Sequence, residues 1–305
     1  MKTTFSLLLL VVHSWIQAQE LKVSSGFVQR FENFKSAFVD ARNIDVWLPK
    51  GYNTTEKYAV IYMHDGQMLF DANTTWNKQA WEVDEVAGKL NAEGKVKKFI
   101  VVGIWNIAAK RHPEYFPQKP YESLTAVQKD TVTAQLQKAG RTKEVFKPYS
   151  DLYLKFLVTE LKPFIDKRFA TAPDKDNTFI AGSSMGGLIS LYAICEYPQV
   201  FGAAACISTH WPGIFAVENN PIPDAFYAYM RKQLPDPKTH RIYFDYGDQT
   251  LDALYPPLQK RADAVMTEKG FTAAHWTTQF FPGKNHSEEA WSERLHIPFA
   301  FLLQR

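Results

Sequence analysis

Cysteine is scarce in this sequence, which holds only Cys195 and Cys206 among its 305 residues. A chain of this length can bury enough apolar surface to be stable without covalent cross-links. Cys195 falls in a segment predicted to be helical, and Cys206 falls in the next apolar run. We therefore expect two buried free thiols, and we exclude a small scaffold held together by disulfides.

Three other features are missing: a charge bias, a long apolar run and a cofactor motif. The 35 lysines and arginines nearly balance the 32 acidic residues, and the net charge of +3 does not indicate nucleic acid or a membrane surface as a partner. No apolar run reaches the roughly 20 residues that a membrane-spanning helix needs. The sequence contains no metal-ligand cluster, phosphate loop or dinucleotide fingerprint, so it implies no metal and no cofactor.

Residues 1–18 differ in composition from the rest of the chain. Lys2 gives a positive start, residues 5–12 are apolar, and Ala18 fits a cleavage position. This pattern is typical of a secretory signal peptide, because the apolar segment is too short to cross a membrane. It predicts a secreted or periplasmic protein whose mature part, residues 19–305, is a single domain. An uncleaved anchor is the alternative.

Alternating apolar runs and amphipathic segments predict the fold class. The run Tyr58–Met63 is apolar throughout, and Lys98–Trp105 is apolar after its first residue, as the central strands of a parallel sheet are. Segments with helical character follow, for example Gln79–Leu90 and Glu288–Leu303. This order predicts an α/β protein with a mostly parallel central sheet and helices on both faces. Residues 107–149 interrupt the alternation, and we interpret them as a cap-like insertion over the sheet.

The Gly-x-Ser-x-Gly motif from Gly182 to Gly186 is a candidate for a catalytic turn. It follows a short apolar strand, Thr178–Ala181, and precedes a helical segment. Such a turn is tight and lifts the central serine hydroxyl above the carboxyl edge of the sheet. Ser184 is therefore the predicted nucleophile. Ser183 does not fit, because the residues that would bracket it are not glycines.

A nucleophilic serine needs a histidine base and an orienting carboxylate, and in α/β-hydrolases the acid and then the histidine follow it in the chain. His286 lies in the loop after the last predicted strand and reaches the same sheet edge. In contrast, His275 lies in a strand and His296 in a helix. His286 is therefore the predicted base. The acid is Asp252, just before a predicted helix, or alternatively Asp248 in the preceding turn; we favour Asp252.

The oxyanion formed by such a reaction needs two backbone N–H donors. The first is predicted at Met185, the residue after the nucleophile, and the second in the loop after the third strand. That loop reads Asp65-Gly66-Gln67, and we assign the donor to Gln67, although the loop also fits a simple strand-ending turn.

Substrate contacts are predicted from the insertion and from side chains at strand ends. Arg111 follows the strand beside the nucleophile strand, where it is expected to bind an acidic or hydroxyl-rich substrate or to pair with Glu114. Trp105, His210 and Trp211 fall at strand ends and are candidates for lining an aromatic cleft.

Four motifs together resemble the esterase D-like family of α/β-hydrolases. They are Asp-Gly-Gln at 65–67, Gly-Ser-Ser-Met-Gly-Gly at 182–187, Tyr-Phe-Asp-Tyr-Gly at 243–247 with Leu-Asp after it, and Gly-Lys-Asn-His at 283–286 with its Ala-Trp and Arg-Leu tail. This group contains feruloyl and acetyl-xylan esterases, enterobactin esterases, S-formylglutathione hydrolases and mycolyltransferases. The resemblance covers roughly residues 25–303.

The resemblance implies a serine esterase that hydrolyses acyl or feruloyl esters on plant polysaccharides through an acyl-enzyme. A trilactone siderophore esterase and a non-catalytic carbohydrate-binding relative are the alternatives. In feruloyl esterases of this group the acid follows a Gly-x-x-Asp turn. The segment from Gly247 to Asp252 is two residues longer, so the choice between Asp252 and Asp248 stays open.

Overall fold

A computed structural model describes residues 21–215 and 218–305 of the chain. The predicted signal peptide, residues 1–18, lies outside the described residues and stays a prediction. Within the described ranges, no helix combines the length and the apolar character that crossing a membrane requires.

The central sheet is mostly parallel, as the sequence predicts. Its strands in the described ranges are β1 (Phe27–Phe34), β2 (Arg42–Leu48), β3 (Ala59–His64), β4 (Phe99–Ile104), β5 (Thr178–Ser183), β6 (Ala203–Ile207), β7 (Arg241–Tyr246) and β8 (Trp276–Phe280). They lie side by side in the order β1-β2-β4-β3-β5-β6-β7-β8. The pairs β1–β2 and β2–β4 are antiparallel, and every other pair is parallel.

Strand β5, which leads to Ser184, lies near the middle of this sheet, between β3 and β6. All 6 residues of β3 and all 6 of β5 are buried, because packed side chains cover both faces. This accounts for their continuous apolar sequences. Parallel strands end at one edge, so the loops after β3, β5, β6, β7 and β8 meet there.

Helices flank the sheet on both sides. In the described ranges they are α1 (Val83–Glu93), α2 (Arg111–Tyr115), α3 (Gln118–Glu122), α4 (Ala126–Lys138), α5 (Ser150–Phe156), α6 (Lys162–Arg168), α7 (Met185–Glu196), α8 (Ile222–Gln233), α9 (Tyr255–Glu268), α10 (Glu288–Ser292) and α11 (His296–Leu302). A π-helical stretch, Leu157–Leu161, joins α5 to α6.

Two helices differ from their predicted bounds for identifiable reasons. Helix α1 begins at Val83 rather than Gln79, since Glu82 before it has a left-handed φ of 51°. The predicted closing helix is divided into α10 and α11. Pro298 has no N–H to donate to the carbonyl of residue 294, and its ring would clash with that carbonyl in a continuous helix. A new helix therefore starts with the proline in its first turn.

Apolar side chains form one core layer on each face of the sheet. Alternate residues of β3 enter opposite layers: Tyr62 belongs to the layer that contains buried side chains of α5 to α9, and Met63 belongs to the layer that contains those of α1 and α11. Cys195 and Cys206 are both buried free thiols, so the expectation from their sequence context is confirmed.

The insertion lies between β4 and α5 and is fastened to the sheet by a buried ion pair. Arg42 at the start of β2 binds Glu114 of α2 through two contacts of 2.6 and 2.8 Å, and both side chains are 1% exposed. The Gln118 N–H also donates to the Ser150 hydroxyl at 3.0 Å. These contacts hold the insertion beside the carboxyl edge of the sheet.

Candidate active site

Ser184 occupies a strained turn between β5 and α7. Its backbone has φ 58° and ψ −120°, a conformation that residues with a side chain seldom adopt and that costs energy. Neighbouring hydrogen bonds hold it: the Ser184 N–H donates to the Ile207 carbonyl at 2.9 Å, and the His210 N–H donates to the Ser184 carbonyl at 3.2 Å. Ser184 consequently lines a cleft at the sheet edge.

The two glycines of the motif have different roles in this turn. A Cβ on Gly182 would lie 2.8–3.0 Å from backbone atoms of Gly186, and backbone cannot rotate away as a side chain can. A Cβ on Gly186 would make ordinary contacts, 3.4 Å from His64 Cβ and 3.6 Å from Asp65 Oδ2. The close approach of β5 and α7 therefore requires glycine at 182, whereas position 186 requires only a small residue.

His286 lies in the loop after β8 and is bound to a carboxylate. Its Nδ1 is 2.5 Å from Asp252 Oδ1. The imidazole packs edge-on against Trp291, with ring centroids 4.9 Å apart, and against Tyr255 at 5.8 Å. His286 lines the same cleft as Ser184, and the contact with the acid leaves its Nε2 for a second partner.

Asp252 is fully buried and lies inside a 3₁₀ turn, Thr250–Leu254, rather than just before a helix as expected. Its Oδ2 accepts hydrogen bonds from the Gly247 N–H and the Ser208 hydroxyl, each at 2.7 Å. Burial raises the pKa of Asp252. The hydrogen bond and charge of His286, together with those two donors, lower it by a larger amount, so the pKa lies below its ordinary value. The carboxylate is ionised at neutral pH.

Asp248, the alternative acid, has other partners. Its carboxylate accepts from the Gly283 N–H at 2.7 Å and from the Gln249 side chain at 3.0 Å. The hydrogen bonds of His286 go instead to Asp252 and, from its backbone N–H, to Thr250 Oγ1 at 3.0 Å. Asp248 therefore connects the loop after β7 to the loop after β8.

A buried network behind the acid was not predicted. The Ser208 hydroxyl, which donates to Asp252, accepts hydrogen bonds from Trp291 Nε1 and Arg294 Nη2, each at 3.0 Å. Arg294 also pairs with Asp245 through contacts of 3.0 and 3.2 Å. The available signal was an aspartate inside an apolar strand and an arginine on the apolar closing segment, each of which needs a buried partner.

The loop after β3 forms a 3₁₀ turn, Gly66–Met68, which brings Gln67 to the cleft. Met185, the first residue of α7, lines the cleft as well. The N–H groups in the first turn of a helix have no acceptor within that helix. The backbone donors predicted at Gln67 and Met185 therefore lie at one cleft with Ser184.

Asp65 connects this loop to the insertion. Arg111 binds it with both ends of the guanidinium group, Nε–Oδ1 at 2.8 Å and Nη2–Oδ2 at 2.7 Å, and Asn106 donates to Oδ1 at 2.6 Å. The expected pairing of Arg111 with Glu114 is wrong, because Glu114 binds Arg42. Burial raises the pKa of Asp65, but Arg111 and Asn106 outweigh that effect, and the pKa falls below its ordinary value.

The cleft has a volume of about 640 Å³. The predicted site residues that line it are Ser184, Met185, His286, Gln67, Arg111 and His210. Trp105 and Trp211 are not among its lining residues, so their expected role there is wrong. Each indole N–H is engaged in the framework: Trp105 donates to Asp45, and the fully buried Trp211 donates to Gln259, both at 2.8 Å.

Two exposed aromatic side chains of the cleft were missed. Trp76 is 83% exposed and Phe215 is 43% exposed, and both line the cleft. Arg141 lies over the Phe215 ring at 5.4 Å. The available signal for Trp76 was a large aromatic inside a polar Asn-Thr-Thr-Trp-Asn segment. No group of three or more His, Cys, Asp or Glu side chains suited to a metal ion occurs in the part of the chain that the structure describes.

Comparison with known proteins identifies the family. Residues 36–302 match the family described as putative esterase, and the chain belongs to it. The fold is similar to that of a ferulic acid esterase from the fungus Anaeromyces mucronatus, with a TM-score of 0.61 and 18% identity over 92% of this chain and 91% of that one. It is also similar to the enterobactin esterase of Shigella flexneri, with a TM-score of 0.57 and 14% identity over 90% and 58% of the two chains. The α/β-hydrolase fold is confirmed.

The chain aligns with very different shares of two relatives in sequence. It is 26% identical over 240 residues to an endo-1,4-beta-xylanase/feruloyl esterase of Xylanibacter ruminicola, covering 74% of this chain but 25% of that protein. It is 24% identical over 238 residues to the uncharacterised protein YbbA of Bacillus subtilis, covering 76% and 80% of the two. The chain therefore spans about a quarter of the Xylanibacter protein's length.

Substitution of the two motif glycines tests the packing of the turn. We expect Gly182→Ala to lower the free energy of unfolding by about 1–3 kcal/mol, because the new methyl group overlaps the backbone of α7. Gly186→Ala is expected to change it by less than about 1 kcal/mol, since the site has room and alanine favours a helix. Urea unfolding of both variants measures the difference, and equal losses would contradict this account.

Removal of the Arg111 side chain tests its structural role. Arg111→Ala leaves the largely buried Asp65 carboxylate without its cation, and we expect a loss of about 1–3 kcal/mol in unfolding free energy after allowance for partial exposure. Arg141→Ala is the matched control, because that exposed arginine only covers an aromatic ring, and a loss below about 1 kcal/mol is expected. Urea unfolding measures both losses. A urea midpoint for Arg111→Ala equal to that of the wild type would show that the Arg111–Asp65 pair does not stabilise the fold.

Proposed function

We propose that this protein is a serine esterase that hydrolyses carboxylic esters through an acyl-enzyme. The observation that carries the proposal is the 2.5 Å contact between His286 Nδ1 and the buried Asp252 carboxylate, in the cleft that Ser184 lines. A histidine oriented by a carboxylate beside a serine is the arrangement that activates a hydroxyl as a nucleophile.

In the proposed reaction His286 acts through Nε2, because Asp252 binds Nδ1. His286 accepts the Ser184 proton as Oγ attacks the ester carbonyl carbon, and the N–H groups of Met185 and Gln67 stabilise the resulting oxyanion. The ester C–O bond then breaks, His286 returns the proton to the leaving alcohol, and the acyl group stays on Ser184. A water molecule, deprotonated by His286, attacks the acyl carbonyl. The bond from the acyl carbon to Ser184 Oγ then breaks, and His286 returns the proton to Oγ, which releases the acid and restores the hydroxyl.

The surroundings of the acid support this assignment. Asp252 must remain charged to stabilise the imidazolium that forms on His286. Its lowered pKa meets that need, and the donors at Gly247 and Ser208 fix the carboxylate in one orientation. Asp248 is hydrogen-bonded to Gly283 and Gln249 rather than to His286 and is the weaker candidate.

For the substrate, we propose acyl or feruloyl esters on plant polysaccharides. The names of the Xylanibacter relative and of the Anaeromyces structure support this class, as do the exposed aromatic rings of Trp76 and Phe215 at the cleft, since sugar and phenol rings pack against aromatic side chains. A trilactone siderophore is the second candidate, and the name of the Shigella flexneri structure supports it. A protein that only binds carbohydrate would not need the Asp252–His286 pair.

Export of the protein to the periplasm or medium also remains a proposal. It rests on the positive start, apolar segment and Ala18 of residues 1–18. Secretion would bring the enzyme to polysaccharide substrates, which do not enter cells.

Replacement of the nucleophile tests the proposed function. We expect Ser184→Ala to lower kcat for p-nitrophenyl acetate by about 10⁴-fold or more, because no other group forms the acyl-enzyme. The fold should persist, since one hydroxyl is removed. Ser183→Ala is the matched control and should retain activity. Turnover near the wild-type rate in purified Ser184→Ala would contradict the assignment, and assays with acetylated xylan, methyl ferulate and enterobactin would rank the substrates.

The identity of the acid is tested by two amide substitutions. Asp252→Asn should lower kcat by about 10³- to 10⁴-fold, because the amide favours the wrong tautomer of His286 and leaves its imidazolium unpaired. Asp248→Asn should cost about tenfold or less, since an asparagine oxygen can still accept from Gly283. Steady-state kinetics decides between them, and the reverse ranking would move the acid to Asp248.

A further inference from the structure

His210 holds a buried ring nitrogen that lacks a partner at the wall of the cleft. The residue lies in the loop after β6, is 2% exposed and lines the cleft together with Ser184 and His286. Its Nε2 makes no hydrogen bond to any residue that the structure describes. Because an unpaired buried polar atom destabilises a fold, a ligand that supplies the partner would account for this arrangement.

Tyr255 lies against the other ring nitrogen of His210. The phenol oxygen is 2.9 Å from His210 Nδ1. Burial raises the pKa of Tyr255, so the phenol keeps its proton at neutral pH and can donate it in a hydrogen bond to Nδ1. With the phenol as the donor, the imidazole proton is on Nε2, which is then a hydrogen-bond donor.

The His210 ring is neutral at neutral pH. Burial lowers its pKa well below the ordinary value, and the charge that His286 carries when protonated and the charge of Arg111 lower it further. A neutral N–H donor discriminates by the presence of an acceptor atom rather than by the charge of the ligand.

Two neighbouring histidines show what distinguishes His210. His112 also lines the cleft, but its Nε2 is 3.2 Å from the Gly213 carbonyl oxygen. His64 has a tyrosine hydroxyl, that of Tyr153, 2.9 Å from Nδ1 and an unpartnered Nε2, but it is not a lining residue of the cleft. His210 combines an unpartnered ring nitrogen with a place among the lining residues of the cleft.

We propose that the Tyr255 phenol donates to His210 Nδ1 and that the His210 Nε2–H binds an oxygen atom of the substrate, so that the enzyme prefers esters carrying such an oxygen over hydrocarbon esters. The inference rests on the proposed esterase function and adds a specificity-determining residue to it. The oxygen is a hydroxyl, ether or carbonyl on either the acyl or the alcohol part. Phe215 packs beside His210, with ring centroids 5.6 Å apart, and extends the same wall of the cleft.

Variants of His210 separate the donor from the shape of the ring. His210→Phe keeps an aromatic ring beside Tyr255 and Phe215 but removes the donor. His210→Gln restores an N–H group at a similar reach and should recover the preference. His296→Phe is the matched control, because that histidine is exposed at the start of α11 and is not among the residues of the cleft.

Two pairs of esters separate the possible positions of the oxygen. Methyl 4-hydroxycinnamate against methyl cinnamate tests the acyl part, and 6-O-acetylglucose against cyclohexylmethyl acetate tests the alcohol part. The quantity measured is the ratio of kcat/KM for the oxygen-bearing ester to that for the hydrocarbon ester. Circular dichroism establishes that each variant is folded. If His210→Phe does not fold, Tyr255→Phe replaces it, because loss of the phenol lets the proton leave Nε2.

We expect His210→Phe to lower this ratio by about 10- to 100-fold in one of the two pairs of esters, because the oxygen of the bound substrate is then buried without a hydrogen-bond donor. The pair that responds identifies the part of the substrate that His210 contacts. A ratio unchanged in both pairs, or a His210→Gln variant no better than His210→Phe, overturns the inference. If the wild type hydrolyses none of the four esters, the proposed function itself is contradicted, and the inference with it.

Discussion

The candidate site depends on the contact between the backbones of β5 and α7. At Gly182 this contact leaves no space for a side chain, and it forces Ser184 into a conformation with φ 58°. That strain persists because the turn is hydrogen-bonded to the loop after β6 on both sides of Ser184. The energy needed to hold the serine in place comes from the packed sheet, so the hydroxyl is positioned before any substrate binds.

Two ion pairs extend this rigidity to the loops on either side of Ser184. Arg111 of the insertion fixes the loop after β3 through Asp65, and Arg294 of the closing segment binds Asp245 and, through Ser208, supports Asp252. Each carboxylate is largely removed from water, where an unpaired charge would be costly. The insertion and the C-terminal helices are therefore part of the framework that positions the candidate oxyanion donor and the candidate acid.

His210 and Tyr255 form a layer between this framework and the cleft. In our proposal the phenol is the donor in their 2.9 Å contact and sets the tautomer of a neutral histidine at the wall, much as Asp252 orients His286. The two histidines thus differ in chemistry because their Nδ1 partners differ: a carboxylate can stabilise a positive charge on the ring, whereas a phenol cannot.

Sequence reasoning was most successful where a local pattern has a local cause. Strand β3 was recognisable because burial on both faces demands a continuous apolar run, and Ser184 was recognisable because the tight turn demands small neighbours. The choice of Asp252 over Asp248 as the favoured acid rested on its position just before a predicted helix, and the structure joins Asp252 to His286. The assignments of Trp105 and Trp211 to the cleft were wrong, because a position at a strand end does not reveal which way an indole turns.

The sequence by itself determined the fold class, the family, the candidate nucleophile and the candidate base, and it narrowed the candidate acid to Asp252 or Asp248, since these follow from periodicity, motifs and order along the chain. Only the tertiary structure decided which polar groups pair. Arg111 is three residues from Glu114 but binds Asp65, 46 residues away, and Arg294 binds Asp245 at a separation of 49 residues. The physical reason is that a buried charge pairs with whichever partner the packing brings within hydrogen-bonding distance. Sheet topology sets that distance, whereas proximity along the chain does not.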